Sequence, residues 1–258
     1  MSAIGESREF QLQEMRNYKI IKSNDLIQKT RSMLNALEQK IIMYLLSKIK
    51  PDDLELEESE FRIREFCELC KNDVDSGANY KYIKNILKNL RDKSIWFRMP
   101  SGSQRTLAWF SVVDINENSG IVKIKFDDLL KPHLLELKER FTQFGLYYVL
   151  PMKSQYSIRL YEILKSYENL QGWKFDLEEL KKLLSAETYS RYVDFRKRAL
   201  DTAIREINEY GDISVNYTIG KIGKKVKDVI FQIRSRVDIQ ERIAVWSNIE
   251  CAMGKNKN

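Results

Sequence analysis

Apolar residues recur every three or four positions in two stretches of the first half of the chain, which predicts two amphipathic helices. Runs rich in β-branched and aromatic residues follow them, divided by turns that contain Pro, Gly and Asn. The predicted elements are, in order, a helix at 37–49, an extended piece at 60–64, a short helix at 65–71, a helix at 78–92, and strands at 94–99, 106–113 and 121–126.

The second half of the chain repeats this order of elements. Its predicted elements are a helix at 156–167, an extended piece at 173–175, a helix that begins after Asp176, a long helix at 192–209, and strands at 213–219 and 226–233 around a loop rich in Gly and Lys. A helix-turn-helix followed by a β-hairpin is the order that a winged helix requires. The pattern therefore predicts an α+β protein with two tandem winged-helix domains, each a helix-turn-helix plus a β-hairpin wing.

The domain boundaries follow from the spacing of these elements. The segment 141–155 lies between the two repeats and contains Gly145 and Pro151, so it is predicted to be a hinge or linker. The predicted domains are a flexible N-terminal segment at 1–18, a first winged helix at 19–145, a second winged helix at 146–236, and a C-terminal helix and tail at 237–258.

Composition narrows the class of protein. The 258 residues hold no apolar run of the roughly 18–20 residues that a membrane span needs, and the N-terminus does not resemble a secretory signal. Three Cys, an odd number, make a disulfide framework improbable and favour a reducing cytoplasm. Cys67 and Cys70 lie among apolar residues in a short helix, which favours packed thiols over zinc.

Candidate catalytic chemistry is sparse. The only histidine is His133, so a two-histidine metal site cannot be formed by one chain, and neither a Gly-x-Ser-x-Gly motif nor a phosphate-binding loop is present. We therefore expect no enzymatic activity, no cofactor and no resident metal.

Charge points to a binding function. The chain has a formal net charge of +7 and a pI near 9.1. Residues 221–236 carry six bases and one acid, whereas residues 51–75 carry ten acids and three bases. Such segregation indicates a polyanionic partner for the second half, and an acidic edge of the first half that faces solvent or a protein.

The long helix at 192–209 has one apolar and one basic face. At about 100° per residue from Phe195, its apolar residues fall between about 40° and 180° and its bases between about 200° and 300°. The apolar set is Ala199, Leu200, Ala203, Ile204 and Ile207; the basic set is Lys197, Arg198 and Arg205, with Arg191 close to it. Arg196 falls near 100°, on the core side. Bases at the N-terminal end of such a helix are typical of a recognition helix in the DNA major groove.

Two further groups of bases are candidates for DNA contact. Lys221, Lys224, Lys225 and Lys227 lie in the predicted wing, where they would contact phosphate. Lys81, Lys84 and Lys88 share one face of the helix at 78–92, and this face fits DNA contact and simple solvation equally well.

The residues of the second half resemble those of iteron-binding plasmid replication initiators. The matching stretches are YSIRLYE at 156–162, YSRYVDFRKR at 189–198, EIN at 206–208 and VIFQI at 229–233. The order of secondary-structure elements is similar over about residues 30–236. In the first half, the similarity of the residues themselves is mainly at 82–95. It implies tandem winged helices that bind double-stranded iterons at the plasmid origin, with the main base contacts at Arg191, Lys197 and Arg198.

The same resemblance implies two oligomeric states and several partners. A monomer would bind the direct repeats, and a homodimer in equilibrium with it, formed largely through the first winged helix, would bind an inverted repeat and repress the initiator's own promoter. A host initiator and the replicative helicase would be the protein partners. A symmetric dimer requires an inverted repeat, so we expect a hinge rearrangement near Gly145 and Pro151 between the two states. Two alternatives are open: a dedicated winged-helix repressor and, less well supported because such chemistry typically takes a histidine pair, a rolling-circle nicking enzyme.

Overall fold

The computed structural model describes residues 18–31, 33–50, 53–70, 77–99, 101–116 and 118–254, without the side chains of 77–80. The predicted N-terminal segment 1–18 therefore lies, except for Tyr18, outside the described residues. The described residues form two compact units: a first unit at Ile20–Gln143, and a second unit at 144–254 that also includes Tyr18 and Lys19.

The first unit holds the first predicted repeat and an additional hairpin. Its elements are β1 (Lys19–Ser23), α1 (Asn24–Gln28), β2 (Thr30–Arg31), α2 (Ala36–Leu46), β3 (Ser59–Arg62), α3 (Ile63–Cys70), α4 (Gly77–Asp92), β4 (Ser94–Arg98), β5 (Gln104–Ala108), β6 (Phe110–Ile115), β7 (Ile121–Phe126), α5 (Lys131–Leu134) and β8 (Phe141–Gly145). They form sheets of order β2-β4-β5, β3-β7-β6 and β1-β8. The prediction of one strand over 106–113 is wrong, because the chain breaks at the buried Trp109 and its two halves, β5 and β6, join different sheets.

A buried ion pair anchors α2 in the first unit. Asn35 and Glu38 form a capping box at the start of α2, and the carboxylate of Glu38 accepts a hydrogen bond from Lys93 Nζ at 2.6 Å. Glu38 is only 2% exposed, so its charge is compensated where water cannot solvate it. The contact ties the start of α2 to the end of α4.

The second unit repeats the winged-helix order. Its elements are α6 (Leu146–Val149), α7 (Gln155–Lys165), β9 (Gly172–Asp176), α8 (Leu177–Leu183), α9 (Tyr192–Phe195), a π turn (Arg196–Leu200), α10 (Asp201–Tyr210), β10 (Ile213–Ile222), β11 (Lys225–Ser235) and α11 (Ile239–Gly254). The sheet order is β10-β11-β9.

The two units share one sheet topology. In each, the strand that precedes the helix-turn-helix pairs antiparallel with the second strand of the wing: β3 with β7, and β9 with β11. Helix-turn-helix, wing and this pairing together define a winged helix. The predicted fold class, two tandem winged helices, is confirmed.

The segment 141–155 is not an exposed linker. Its first residues form β8, which pairs with β1, and Leu146, Tyr147 and Val149 are each at most 1% exposed. Gly145 has φ −82°, a value that any residue adopts, so its backbone does not use glycine's freedom. The two units divide within this segment, between Gln143 and Phe144, and the apolar residues that follow are buried, so the connection is a folded stretch of chain.

Candidate nucleic-acid interface

The second unit presents one helix and one hairpin with exposed bases. We call α9, the π turn and α10 together the interrupted helix, residues 192–210, because the π turn lies within a continuous helix. Phe195, Ala199, Leu200, Ala203 and Ile207 are 0% exposed and form its buried face. The predicted apolar face is confirmed, with Ile204 half-buried at its edge.

Hydrogen bonds fix the interrupted helix in the unit. The buried carboxylate of Glu206 accepts from the backbone N–H groups of Lys153 and Ser154, at 3.1 Å each, just before α7 begins. Asn208 accepts from Val215 N–H and donates to Val215 C=O, both at 2.8 Å, which joins the helix to β10. Sequence reasoning did not find these anchors, although polar residues beside the apolar Ile207 were a signal that they bond inside the fold.

Three consecutive bases are exposed where the π turn begins: Arg196, Lys197 and Arg198. The placement of Arg196 on the core side was wrong. That angle assumed 100° per residue throughout, whereas a π turn closes its hydrogen bonds from residue i to residue i+5 and so contains an extra residue. The wider turn leaves Arg196 outside the buried face.

The bases of the interrupted helix differ in their ion pairing. Arg191 Nε lies 3.8 Å from Asp194 Oδ2, and Arg196 Nε lies 3.5 Å from Asp201 Oδ2. Lys197, Arg198 and Arg205 are exposed and form no ion pair with any described residue. Their charges are therefore available to an external polyanion.

The wing is a long ribbon with a two-residue turn. The ladder from β10 to β11 continues to the pair Ile222 and Lys225, so only Gly223 and Lys224 form the turn, with Gly223 at φ +60°. A register irregularity lies between Gly220 and Lys221. The loop expected between 219 and 226 is thus mostly strand, and its bases stand at the end of a rigid ribbon.

The wing lysines are not equivalent. Lys221, Lys224 and Lys225 are exposed and without an ion pair in the part of the chain that the structure describes, whereas Lys227 pairs with Asp176. Asp176 also caps α8 by accepting from the N–H groups of Glu178 and Glu179. The hydrogen bond from Lys227 is the main reason why the pKa of the Asp176 carboxyl lies below its ordinary value. Lys227 therefore links β11 to the start of α8, a role that its position in the sequence did not indicate.

The corresponding helix of the first unit, α4, carries a weaker set of bases. Lys81 and Lys88 are exposed and Lys84 is half-buried, while Ile83 and Leu87 point into the core. The structure thus separates Lys84 from the two lysines with which it was grouped.

His133 has structural contacts. Its Nδ1 lies 2.9 Å from the Ser23 hydroxyl, and its ring stacks on Phe97 with a centroid distance of 4.8 Å. Burial lowers the pKa of its imidazole, which keeps the ring neutral at pH 7.

The two neighbouring cysteines are held in the thiol form. Burial raises the pKa of the Cys67 thiol and raises that of Cys70 to about 12. Within the described ranges, no three His, Cys, Asp or Glu side chains cluster closely enough to hold a metal ion.

These features define the class as a tandem winged-helix protein with a basic helix and ribbon in its second unit. The family model described as "Initiator Replication protein, WH1" matches residues 19–165, and that described as "Initiator Rep protein, WH2" matches residues 176–233. The chain therefore belongs to the initiator replication protein family. No helix within the described residues has both the length and the apolar composition to cross a membrane.

Individual relatives are distant. An "Uncharacterized 27.6 kDa protein" of Escherichia coli is 24% identical over 196 residues, which is 72% of this chain and 81% of that protein. The crystal structure of Pi initiator protein in complex with iteron DNA superimposes with a TM-score of 0.71 at 21% identity, over 86% of this chain and 99% of that one. Domains 2 and 3 of RctB give a TM-score of only 0.48 at 14% identity, too low for comparison of residues.

The ion pair at Asp176 generates a pH-dependent prediction. We expect D176N, which keeps a capping oxygen but loses the charge, to be less stable than the wild type at pH 7. A carboxyl with a lowered pKa stabilises the fold above its unfolded pKa, about 3.9, and that stabilisation is lost as pH falls through the folded pKa. The difference between the two proteins should therefore shrink as the pH falls below the unfolded pKa and vanish once the pH is below the folded pKa.

Urea midpoints measured at pH 7, 5, 4 and 3 test this expectation. Lys227→Gln, which removes the other partner, should lose the same stability, and its addition to D176N should change little. A difference between wild type and D176N that stays constant from pH 7 to pH 3 would show that the ion pair does not contribute.

Proposed function

We propose that this protein initiates plasmid replication by binding repeated sites, iterons, in double-stranded origin DNA. The observation that carries the proposal is the set of exposed bases without ion pairs on the interrupted helix and the wing, in a chain of the initiator replication protein family. The Pi initiator, which shares the fold, is described in complex with iteron DNA. The protein acts by binding DNA in the cytoplasm and carries out no covalent chemistry.

The interrupted helix is the proposed reader of sequence. Lys197 and Arg198 lie in its N-terminal half, and Arg191 immediately precedes it. A side chain in this part of a recognition helix reaches base edges in the major groove, where Arg or Lys donates to O6 and N7 of guanine. Arg205, which is exposed further along the helix, is proposed to contact phosphate.

The wing is the proposed source of sequence-independent affinity. Lys221, Lys224 and Lys225 stand at the end of the ribbon, where contact with phosphates releases counterions from DNA. Lys81 and Lys88 on α4 are proposed as auxiliary contacts of the first unit.

Oligomeric state is proposed to select the DNA site. A monomer would bind one direct repeat, whereas a dimer formed through the first unit would bind an inverted repeat at its own promoter, since the two-fold axes must coincide. The segment 141–155 would have to change its conformation between the monomer and the dimer. Because Leu146, Tyr147 and Val149 are buried there, the change would be a repacking between discrete arrangements. A host initiator and the replicative helicase are the proposed protein partners at the origin.

Specific binding should depend on the interrupted helix. We expect K197A and R198A each to lose about 1–3 kcal/mol of affinity for the cognate repeat and little for random DNA, because each removes a base contact. The cognate site is first located by footprinting on the DNA that flanks the protein's own gene.

The matched control for these two variants is K138A. Lys138 is also exposed, but it lies outside both the interrupted helix and the wing. K138A should leave both affinities nearly unchanged. Equal losses on cognate and random DNA in R198A would show that the side chain contacts only phosphate.

The wing lysines should determine how strongly the affinity for DNA depends on salt concentration. The double variant K224A/K225A should weaken cognate and random DNA alike and lower the slope of log K against log salt by up to about two units. K227A serves as the control, since its ammonium is paired with Asp176 and should change the slope by less. An unchanged slope in the double variant would place the wing away from DNA.

The stoichiometry of the complexes tests the switch. The mass in solution, from sedimentation or mass photometry, should correspond to one chain on a single direct repeat and two chains on the inverted repeat. A stable dimer on one direct repeat would favour a simple dimeric repressor instead.

A further inference from the structure

We propose that Asp201 is a positioning residue that sets the DNA sequence specificity of the interrupted helix. It does so by holding Arg196 and the wing residue Tyr217 in one fixed arrangement. The inference rests on the proposed function and adds to it an acidic residue that lies within the basic surface.

The two oxygens of the Asp201 carboxylate have different partners. Oδ1 accepts a hydrogen bond from the Tyr217 hydroxyl at 2.7 Å, and Oδ2 lies 3.5 Å from Arg196 Nε. Tyr217 belongs to β10 and Arg196 opens the π turn. One carboxylate therefore connects the helix to the wing at the place where the consecutive bases begin.

The π turn makes this contact possible. Arg196 and Asp201 are five residues apart, which on a regular α-helix would place them about 140° apart. In the π turn the N–H of Asp201 donates to the carbonyl of Arg196, so the two residues stack one turn apart on the same side of the helix. π turns of this kind occur frequently at functional sites.

A second tyrosine extends the contact to the start of the helix. Tyr192, the first residue of α9, lies close enough to Tyr217 for each hydroxyl to influence the pKa of the other. Burial, and then the hydrogen bond to Asp201, raises the pKa of the Tyr217 hydroxyl, so it remains a donor at neutral pH. Tyr192, Arg196, Asp201 and Tyr217 thus form a cluster that covers both ends of the turn and the adjoining strand.

Electrostatics indicates what the cluster does. The Asp201 side chain is 47% exposed among bases that face a polyanion, so its charge opposes DNA binding. The charge of Asp201 weakens every DNA complex, but its contacts orient Arg196, which we place beside Lys197 and Arg198 as a further base-reading side chain. Such a residue lowers overall affinity and raises discrimination. Preorganised side chains lose less freedom on binding the correct site, which is the source of the discrimination.

Asp194 provides a matched control for the charge. It lies on the same helix, is 43% exposed, and also faces an arginine, at 3.8 Å. It has no hydrogen bond to the wing among the described residues. D194N and D201N therefore remove the same charge from the same surface, and only D201N releases the link to the wing.

The experiment measures affinity of the full chain for its footprinted repeat and for random DNA of equal length. D194N should tighten the random complex about two- to threefold and lower the affinity ratio less than D201N, because it frees Arg191 but leaves the link between the helix and the wing intact. D201N should tighten the random complex similarly but weaken the cognate one, so that the ratio of the two affinities falls about tenfold. Y217F, which changes no charge, should lower this ratio and leave random DNA unaffected.

Each outcome has a separate meaning. If D201N lowers the affinity ratio no more than D194N does, and Y217F keeps the wild-type ratio, the link from Asp201 to the wing does not set specificity and the inference is wrong, while the proposed function stands. If the wild type itself shows no preference for any footprinted repeat, the proposed function fails and this inference fails with it. Urea midpoints of D201N and Y217F close to wild type confirm that a lost ratio does not reflect unfolding.

Discussion

The interface in the second unit depends on the packing of one face of the interrupted helix. Phe195, Ala199, Ala203 and Ile207 repeat every four residues and are completely buried, so the helix can neither roll nor slide without opening the core. Hydrogen bonds from Lys153 N–H to Glu206 and from Val215 N–H to Asn208 then hold the C-terminal half of the helix in place. Because the buried face is set in this way, the direction of every exposed base on the opposite face is set as well.

The two units use one topology for surfaces of opposite charge. Each pairs the strand before its helix-turn-helix with the second strand of its wing. The first unit, however, places exposed Glu55, Glu57 and Glu58 just before that strand, where the second unit has no comparable acidic run. A polyanion is repelled by such a run and attracted by the ribbon of the second unit. The fold alone therefore does not decide what a winged helix binds; its surface does.

Periodicity was sufficient to predict the helices of the two helix-turn-helix motifs, the wings and the repeat, because burial of one face imposes the same pattern on any sequence with this topology. It did not reveal the short helices α1, α5 and α6. It failed where tertiary contacts override local pattern. Trp109 sits inside an apparently continuous strand and turns the chain into a second sheet. Arg196 was misplaced because no residue type signals a π turn, and the pairing of Lys227 with Asp176 joins residues 51 positions apart. Apart from Arg196 and Lys84, the exposed bases could be read from the sequence, but which of them are free of ion pairs could not.

That last distinction separates affinity from selectivity. Wing bases without ion pairs, such as Lys221 and Lys224, keep their rotational freedom and their full charge, so they favour any DNA and respond strongly to salt. Bases held by a carboxylate, such as Arg196, lose part of that attraction but keep one orientation, and a fixed donor fork distinguishes guanine from other bases better than a mobile one. The acidic residues within a basic surface are therefore not merely a reduction of its charge. Asp201 is proposed to orient Arg196 in this way, whereas the unpaired wing lysines are proposed to attract the duplex whatever its sequence.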